Sequence, residues 1–243
     1  MEIKRDDVNS QRFNKEMGNV CLSNEDLLND NFNVDELIGL GKANGFTHLS
    51  VKIPTPYKTL FNSFINHGFY LTDTLVEYIF YFDGRKMPEI KHKTIIRDFK
   101  DADINSLSVI AKDSFTYDRY HSDPHLDDSL CDAYYEQWLY NSCYGFADKV
   151  IVSEYNDEVV GFTTGKADHS QEYGHLVLSA VSDKYRGLGI YTSMIYEGVK
   201  WLETEGFKGL IVGTQINNLA VQKAWIKLGF TILDSEYVLH YSY

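Results

Sequence analysis

The chain has 243 residues, 44% hydrophobic and 14% aromatic, enough apolar matter for one large core or two small ones. Lys and Arg number 23 against 35 Asp and Glu, and this formal net charge of −12 disfavours nucleic acid and anionic membranes as partners. No apolar run is long enough to span a bilayer and none follows Met1-Glu2-Ile3-Lys4-Arg5, so neither signal peptide nor anchor is read and the cytoplasm is the expected compartment. Cys21, Cys131 and Cys143 stand at no metal-ligand spacing; they are expected to pack as small apolar side chains, and no metal is expected.

The first ninety residues contain an internal echo. The segment from Asp30 to Phe82 lies over Tyr191 to Tyr243 without a gap: Glu36 on Glu197, Gly45-Phe46 on Gly206-Phe207, Leu49 on Leu210, Val51 on Val212, Ile65 on Ile226, Gly68-Phe69 on Gly229-Phe230, and Asp73 on Asp234. Helix, strand, helix and strand coincide along it, which favours a structural repeat over chance. Further on, Ile95-Ile96-Arg97 reads as a short strand. Asp101 to Phe115 reads as a helix with Ile104, Leu107, Ile110 and Ala111 on one face and Asp101 or Asp103 as its cap. Leu126 to Tyr144 reads as a second helix, with Leu130, Tyr134 and Trp138 recurring every four residues and Gly145 as its stop. Val150-Ile151-Val152 and Val159-Val160-Gly161-Phe162 flank Asn156-Asp157, a hairpin signal; His175 to Val181 is the next strand, and Tyr191 to Thr204 a helix facing the core with Ile195, Val199 and Leu202.

Between that strand and that helix lies Leu178-Ser179-Ala180-Val181-Ser182-Asp183-Lys184-Tyr185-Arg186-Gly187-Leu188-Gly189-Ile190-Tyr191, a buried-strand pattern, a polar turn and an Arg-Gly-x-Gly knuckle opening an amphipathic helix. Glycine admits backbone conformations barred to other residues, so successive N–H groups of such a turn can converge on a phosphate at the positive end of the helix. Taken alone, the turn also reads as a plain helix start. The run resembles motif A of the GNAT N-acetyltransferases, R-x-x-G-x-G/A, with Arg186, Gly187, Leu188, Gly189 and Ile190 matching and Tyr191 where the family usually has Gly or Ala. Val212-Gly213-Thr214-Gln215-Ile216-Asn217-Asn218-Leu219-Ala220-Val221-Gln222-Lys223-Ala224-Trp225 resembles motif B, and Gly229-Phe230 closes its helix as in the family.

This resemblance implies an α/β (α+β) chain. A GNAT fold with a mixed central sheet is expected over 91–243, preceded over 1–90 by a half-GNAT-like αβ domain. In the echo Arg186 and Gly189 correspond to Glu25 and Leu28, and Asn217-Asn218 to Pro56-Tyr57, so the first domain is expected to bind no coenzyme and to extend the sheet and wall the acceptor cleft. Acetyl-CoA is the implied co-substrate. Its pyrophosphate belongs on the N–H groups of Arg186, Gly187, Leu188, Gly189, Ile190 and Tyr191, its thioester along Ser179, Ala180 and Val181, where the family splays two parallel strands, and its pantetheine against Asn218 and Trp225. Asn217 and Asn218 are also good helix caps. Trp225 stands where many members place the tyrosine that protonates the thiolate; an indole has no acid chemistry at neutral pH, so water or another hydroxyl is needed, Tyr191 being one candidate.

The acceptor side is suggested by Phe115-Thr116-Tyr117-Asp118-Arg119-Tyr120-His121-Ser122-Asp123-Pro124, a loop that concentrates ionisable and aromatic groups. It resembles the F-x-x-x-R-F/Y-H-x-D-P loop of GNAT enzymes acting on nucleotide-activated amino sugars, of which the dTDP-fucosamine (dTDP-4-amino-4,6-dideoxygalactose) acetyltransferases are the nearest likeness. That likeness runs through Phe13-Asn14-Lys15-Glu16-Met17-Gly18 and Thr214 to Asn218 and covers nearly the whole chain. It implies Arg119, His121, Asp123 and Gln215 as acceptor-binding residues; the alternative is that Arg119, His121 and Asp123 pair with one another and lock the loop. His121 and His175 are the candidate bases, since histidine titrates near neutrality, with His240 a weaker third. The implied function is acetyl-CoA-dependent N-acetylation of a small-molecule amino sugar, nucleotide-linked. Two other readings stay open. One is transfer to a small cationic amine or peptide N-terminus, which the net charge suits, whereas a nucleotide diphosphate needs local positive charge at Arg12, Lys15 or Arg119. The other is a catalytically idle CoA-binding module, suggested by Trp225. The oligomeric state is open, a homodimer included.

Overall fold

The structure, a computed structural model, describes residues 1–90, 93–115 and 118–243. In chain order its elements are β1 (Glu2–Arg5), α1 (Asp7–Phe13), β2 (Met17–Cys21), α2 (Asn24–Leu28), α3 (Val34–Ala43), β3 (His48–Pro54), α4 (Lys58–Asn66), β4 (Tyr70–Tyr81), β5 (Ile95–Asp98), α5 (Ile104–Ser114), α6 (Asp128–Asn141), β6 (Lys149–Tyr155), β7 (Glu158–Lys166), β8 (Tyr173–Val181), α7 (Ile190–Thr204), β9 (Gly209–Gln215), α8 (Leu219–Leu228) and β10 (Thr231–Ser242). They form two units: Met1–Val76 with Tyr117–Cys131 and Asp234–Tyr243, and Glu77–Thr116 with Asp132–Leu233. Where the sequence reading cuts once after residue 90, the chain passes between units within the long strand β4, and the first unit takes in two later segments. Lys91, the first residue of the expected second domain, lies outside the described residues.

In the first unit β1 pairs antiparallel with β2, β2 parallel with β3, and β3 antiparallel with β10, where His48 faces Ser242 and Ser50 faces His240. The helices cover these strands because their apolar positions recur at helical spacing. Leu37 of α3 and Leu60 and Phe64 of α4 pack with Leu49, Val51 and Ile53 of β3 and Leu239 of β10. Asn33 starts α3 by accepting the Glu36 N–H at 3.0 Å.

In the second unit β5, β6, β7 and β8 run antiparallel in succession and β9 joins β8 in parallel, giving the mixed sheet. The hairpin between β6 and β7 turns at Asn156 (φ 51°) and Asp157 (φ 62°), the left-handed pair that a two-residue turn with the right strand twist requires. Leu107, Ile110 and Ala111 of α5 pack on Val152, Phe162, Leu178 and Ala180. Asp103 does not cap α5 through its side chain; both its oxygens accept from Arg97 of β5, at 2.7 and 2.9 Å, and Oδ2 also accepts the Lys100 N–H that opens the preceding 3₁₀ turn. The buried stripe of α6 is Cys131, Tyr135 and Leu139, one residue beyond the expected Leu130, Tyr134 and Trp138, which lie half-buried. One residue is about 100° of helical rotation, so the two wide aromatics line the rim and the stripe beside them fills the interior.

The echo is present in the elements themselves. At the offset read from the sequence, His48 and Pro54, the ends of β3, fall on Gly209 and Gln215, the ends of β9; Tyr70 and Tyr81 fall on Thr231 and Ser242, the ends of β4 and β10. Gly68 (φ 90°) and Gly229 (φ 94°) follow the matching helices in the same left-handed conformation.

Candidate active site

The residues expected on the coenzyme side all lie in the second unit. Pairing between β8 and β9 runs from Tyr173↔Gly209 to Leu176↔Val212 and then stops, although β8 continues to Val181 and β9 to Gln215. The register of β7 on β8 explains why: Thr164 faces Leu178 and Gly165 faces Leu176, so Val177 is an extra residue, a β-bulge. A bulge bends its strand and flips the faces beyond it. Accordingly Leu176 lies against Gly198 of α7, whereas Leu178 and Ala180 pack with α5. The strands part at the bulge, and Ser179, Ala180 and Val181 continue without the parallel partner. Their side chains are otherwise engaged: Ser179 Oγ is 2.5 Å from Thr163 Oγ1, Ala180 lies in the α5 core, and Val181 packs with Ile190 and Met194. What they can offer a ligand is backbone.

Beyond Val181 the chain turns through a single 3₁₀ turn, Asp183–Tyr185, into Arg186 to Gly189. Gly187 (φ 82°) and Gly189 (φ 83°) are both left-handed, and a Cβ added at either meets nothing within 4 Å. The turn is therefore an open cradle, and the first N–H groups of α7 have no acceptor within the helix. Arg186 is exposed and paired with Asp183, Leu188 is half-buried, and Ile190 is buried. An open turn of left-handed glycines at the positive end of a fifteen-residue helix fits a pyrophosphate.

Tyr191, on the first turn of α7, meets Trp225 of α8: the indole Nε1–H donates to the phenol oxygen at 3.1 Å. Trp225 is 2% exposed and also packs on Tyr78. Expected to lie along pantetheine, it stands instead inside the unit, behind the phenol. The Tyr191 hydroxyl keeps its own proton, because burial pushes its pKa well above the usual phenol range against the smaller opposing effect of the indole bond. Asn218 is the N-cap of α8, its Oδ1 accepting the Val221 N–H and its Nδ2 donating to Thr214 Oγ1 at 3.0 Å. Gln215 ends β9, and its carbonyl accepts from Gln222 at 3.3 Å. His175 does not reach the freed stretch. It lies in the paired part of β8, opposite Ile211 and four residues before Ser179, roughly 13 Å along a strand.

The acceptor loop belongs to the first unit, except that Thr116 and Tyr117 lie outside the described residues. Asp118 is its organiser: buried, it accepts from Tyr120 N–H at 2.7 Å and holds His121 Nδ1 at 2.6 Å. With the Nδ1 proton directed to the carboxylate, the basic lone pair of His121 is on Nε2. Arg119 donates to the Tyr120 hydroxyl at 2.6 Å with its guanidinium 4.7 Å above the same ring, and Asn9 donates to that hydroxyl at 3.1 Å. Arg119, Tyr120, Asn9, Asn19, Ser50 and Met17 line a small pocket of this unit.

Asp123 departs from the expectation. It is 2% exposed, and its carboxylate accepts from Tyr70 OH at 2.9 Å, His125 N–H at 2.8 Å and His240 Nδ1 at 2.6 Å, with His48 Nε2 at 3.4 Å. A carboxylate so enclosed anchors the loop and presents nothing to an acceptor. Burial opposes its charge, but the bonds from His240 and His125 outweigh that and hold it below the ordinary carboxylate range. Burial likewise pushes the imidazoles down, His48 to about 3. Asp73 of β4 is a group the sequence reading passed over: Oδ1 accepts from Thr74 N–H, Oδ2 is buried without a partner, and its pKa is pushed up to about 6, first by burial and further by Asp118.

Residues 105–230 match the family model of the Acetyltransferase (GNAT) family. The chain is 30% identical over 138 residues to the spore coat polysaccharide biosynthesis protein SpsD of Bacillus subtilis (strain 168), covering 57% of this chain and 47% of that protein. It is 30% identical over 82 residues to the mycothiol acetyltransferase of Corynebacterium glutamicum (strain R), covering 34% of this chain and 28% of the relative. The chain thus spans less than half the length of either. Among solved structures, the GCN5-related N-acetyltransferase from Sphaerobacter thermophilus aligns with a TM-score of 0.60 at 14% identity, over 86% of this chain and 64% of that one, a likeness of fold.

Proposed function

The chain belongs to the acetyltransferase (GNAT) family, and from that premise we propose that it acetylates the amine of an amino sugar carried on a nucleotide. The observation that carries the acetyl-CoA half of this reading is the strand pair that parts at the Val177 bulge beside the Gly187 to Gly189 turn, which together offer backbone to a pantetheine and N–H groups to a pyrophosphate. Arg119 and the Asp118–His121 pair, on a loop resembling that of nucleotide-aminosugar enzymes, support the acceptor half, as does the name of the Bacillus relative, a polysaccharide biosynthesis protein.

Acetyl-CoA supplies an acyl group already activated as a thioester. The amine must arrive neutral, its nitrogen lone pair forms the C–N bond, and the C–S bond breaks as the tetrahedral adduct collapses. We assign the Tyr191 hydroxyl as the acid that returns a proton to the departing thiolate, the amine proton passing to a base; within the first unit His121, oriented by Asp118, has the chemistry of such a base. Trp225 then acts through Tyr191: its N–H occupies a phenol lone pair and turns the O–H outward. This removes the motive for reading the chain as an idle module. Arg119 is the cation for the nucleotide phosphates.

The test is thiol release from acetyl-CoA by the purified protein against dTDP- and UDP-linked amino sugars, polyamines and peptide N-termini. A kcat/KM at least tenfold higher on a nucleotide-linked amino sugar is expected. The net charge of −12 favours the cationic amines as rivals, and preferred turnover of those would overturn the acceptor assignment.

A further inference from the structure

We propose that the first unit holds a divalent transition metal, zinc by its ligand types, on His48 Nε2, Asp123 Oδ2 and His240 Nδ1. The three side chains come from β3, the acceptor loop and β10, and none is more than 2% exposed. One ligand atom from each lies within 4.8 Å of the others. Two imidazoles and a carboxylate are a donor set for zinc, and for cobalt(II) in its place.

Two features distinguish this cluster from an ordinary hydrogen-bonded lock. His48 Nε2 is buried and has no hydrogen-bond partner, yet it stands 3.4 Å from Asp123 Oδ2. Two ligands on a tetrahedral ion with bonds of about 2.0–2.1 Å stand about 3.3–3.4 Å apart, which is this spacing. The second feature is that at His48 and Asp123 the atoms left over are already held, as outer partners hold metal ligands, while the remaining nitrogen of His240, Nε2, is buried without a partner. Ser242 Oγ lies 3.0 Å from His48 Nδ1, which fixes the ring with Nε2 forward. Tyr70 OH and His125 N–H take Asp123 Oδ1, leaving Oδ2 directed at the histidines. At His240 Nδ1, 2.6 Å from Oδ2, the ion takes the place of the shared proton, which moves to Nε2 of the same ring so that the imidazole stays neutral as it shifts outward by a few tenths of an ångström. The ion ties the acceptor loop to two strands of its own unit. The inference is independent of the proposed acceptor.

The experiment uses the full chain without a polyhistidine tag. After dialysis, elemental analysis should find about one zinc per chain, and the metal-stripped protein should bind cobalt(II) with visible d–d absorption and gain thermal stability on adding zinc. Ser242→Ala, which removes only an outer partner, should weaken cobalt affinity about 10- to 100-fold. His48→Asn should abolish the absorption. If the wild-type protein gives no cobalt absorption and no zinc-dependent shift in Tm, the cluster is a hydrogen-bonded lock and the proposal is wrong. Cobalt binding unchanged in both variants would equally overturn it, since the ion would then sit elsewhere.

Discussion

Gly189 and Gly45 form a matched pair that separates backbone strain from ligand binding. Gly189 has φ 83° and Gly45 φ 80°, and an added Cβ meets nothing within 4 Å at either. Valine at both positions therefore carries the same penalty, the left-handed conformation of an L-residue, about 1–2 kcal/mol and toward the upper end for a β-branched side chain. The added Cβ has open space at both positions, so Gly189→Val and Gly45→Val should lose similar stability in denaturant melts. Only Gly189 belongs to the turn assigned to the pyrophosphate. There the side chain projects into the cradle, and any relaxation out of the left-handed region swings the neighbouring N–H groups away. Acetyl-CoA affinity by calorimetry should fall at least tenfold, about 1.4 kcal/mol, in Gly189→Val and stay unchanged in Gly45→Val. Wild-type affinity in a folded Gly189→Val protein would refute the phosphate assignment.

Tyr191→Phe should lower kcat tenfold or more, whereas Trp225→Phe, which keeps most of the packing and loses only the donor to the phenol, should retain most of it; full activity of Tyr191→Phe would end the acid assignment and leave the transferase reading standing. Calorimetry should find one acetyl-CoA per chain, because Leu28 and Pro56 stand in the echo where the second unit has Gly189 and Asn217, and a stoichiometry near two would contradict this. Asp73, with its pKa at about 6 against about 3.9 unfolded, binds its proton more tightly when folded, so its ionisation costs stability that is absent below about pH 4 and fully felt above about pH 6. Asp73→Asn should thus stabilise the protein at pH 7 by up to about 3 kcal/mol and converge on the wild type at pH 4 in denaturant melts; a gain equal at both pH values would show that the charge is not the cause.

What the sequence revealed of the fold follows how local each determinant is. The repeat was legible because a helix that ends in glycine and phenylalanine and a strand that alternates apolar residues are each written within a dozen positions, and the offset that aligns them also aligns β3 with β9 and β4 with β10 end to end. The hairpin at Asn156-Asp157 was legible for the same reason. The buried face of α6 was not, since Leu130, Tyr134 and Trp138 and the true stripe Cys131, Tyr135 and Leu139 are both apolar at period four and only the neighbouring elements choose between them. Nor was the division of the chain, because a strand as long as β4 can begin in one unit and end in the other without any change of composition.

The site divides in the same way. The left-handed conformation of Gly187 and Gly189 is local and is written in the residue type itself. The parting of β8 from β9 depends on the bulge at Val177, which exists only relative to the register of β7 and leaves no mark in β8 alone. The absent tyrosine at Trp225 was plain, but its consequence was not: an indole that cannot give up a proton can still direct one, and the phenol it directs lies a whole helix and strand earlier in the chain. Asp123 shows the limit most clearly. Its loop motif marks it as an acceptor ligand, yet the partners that draw it inward are His48 and His240, near opposite ends of the sequence. Their one local sign is a histidine beside leucine in a core strand, Thr47-His48-Leu49 and Leu239-His240-Tyr241. A polar ring placed there needs a buried polar partner, and in a chain of this length the candidates can be narrowed only once β3 and β10 are known to be neighbours.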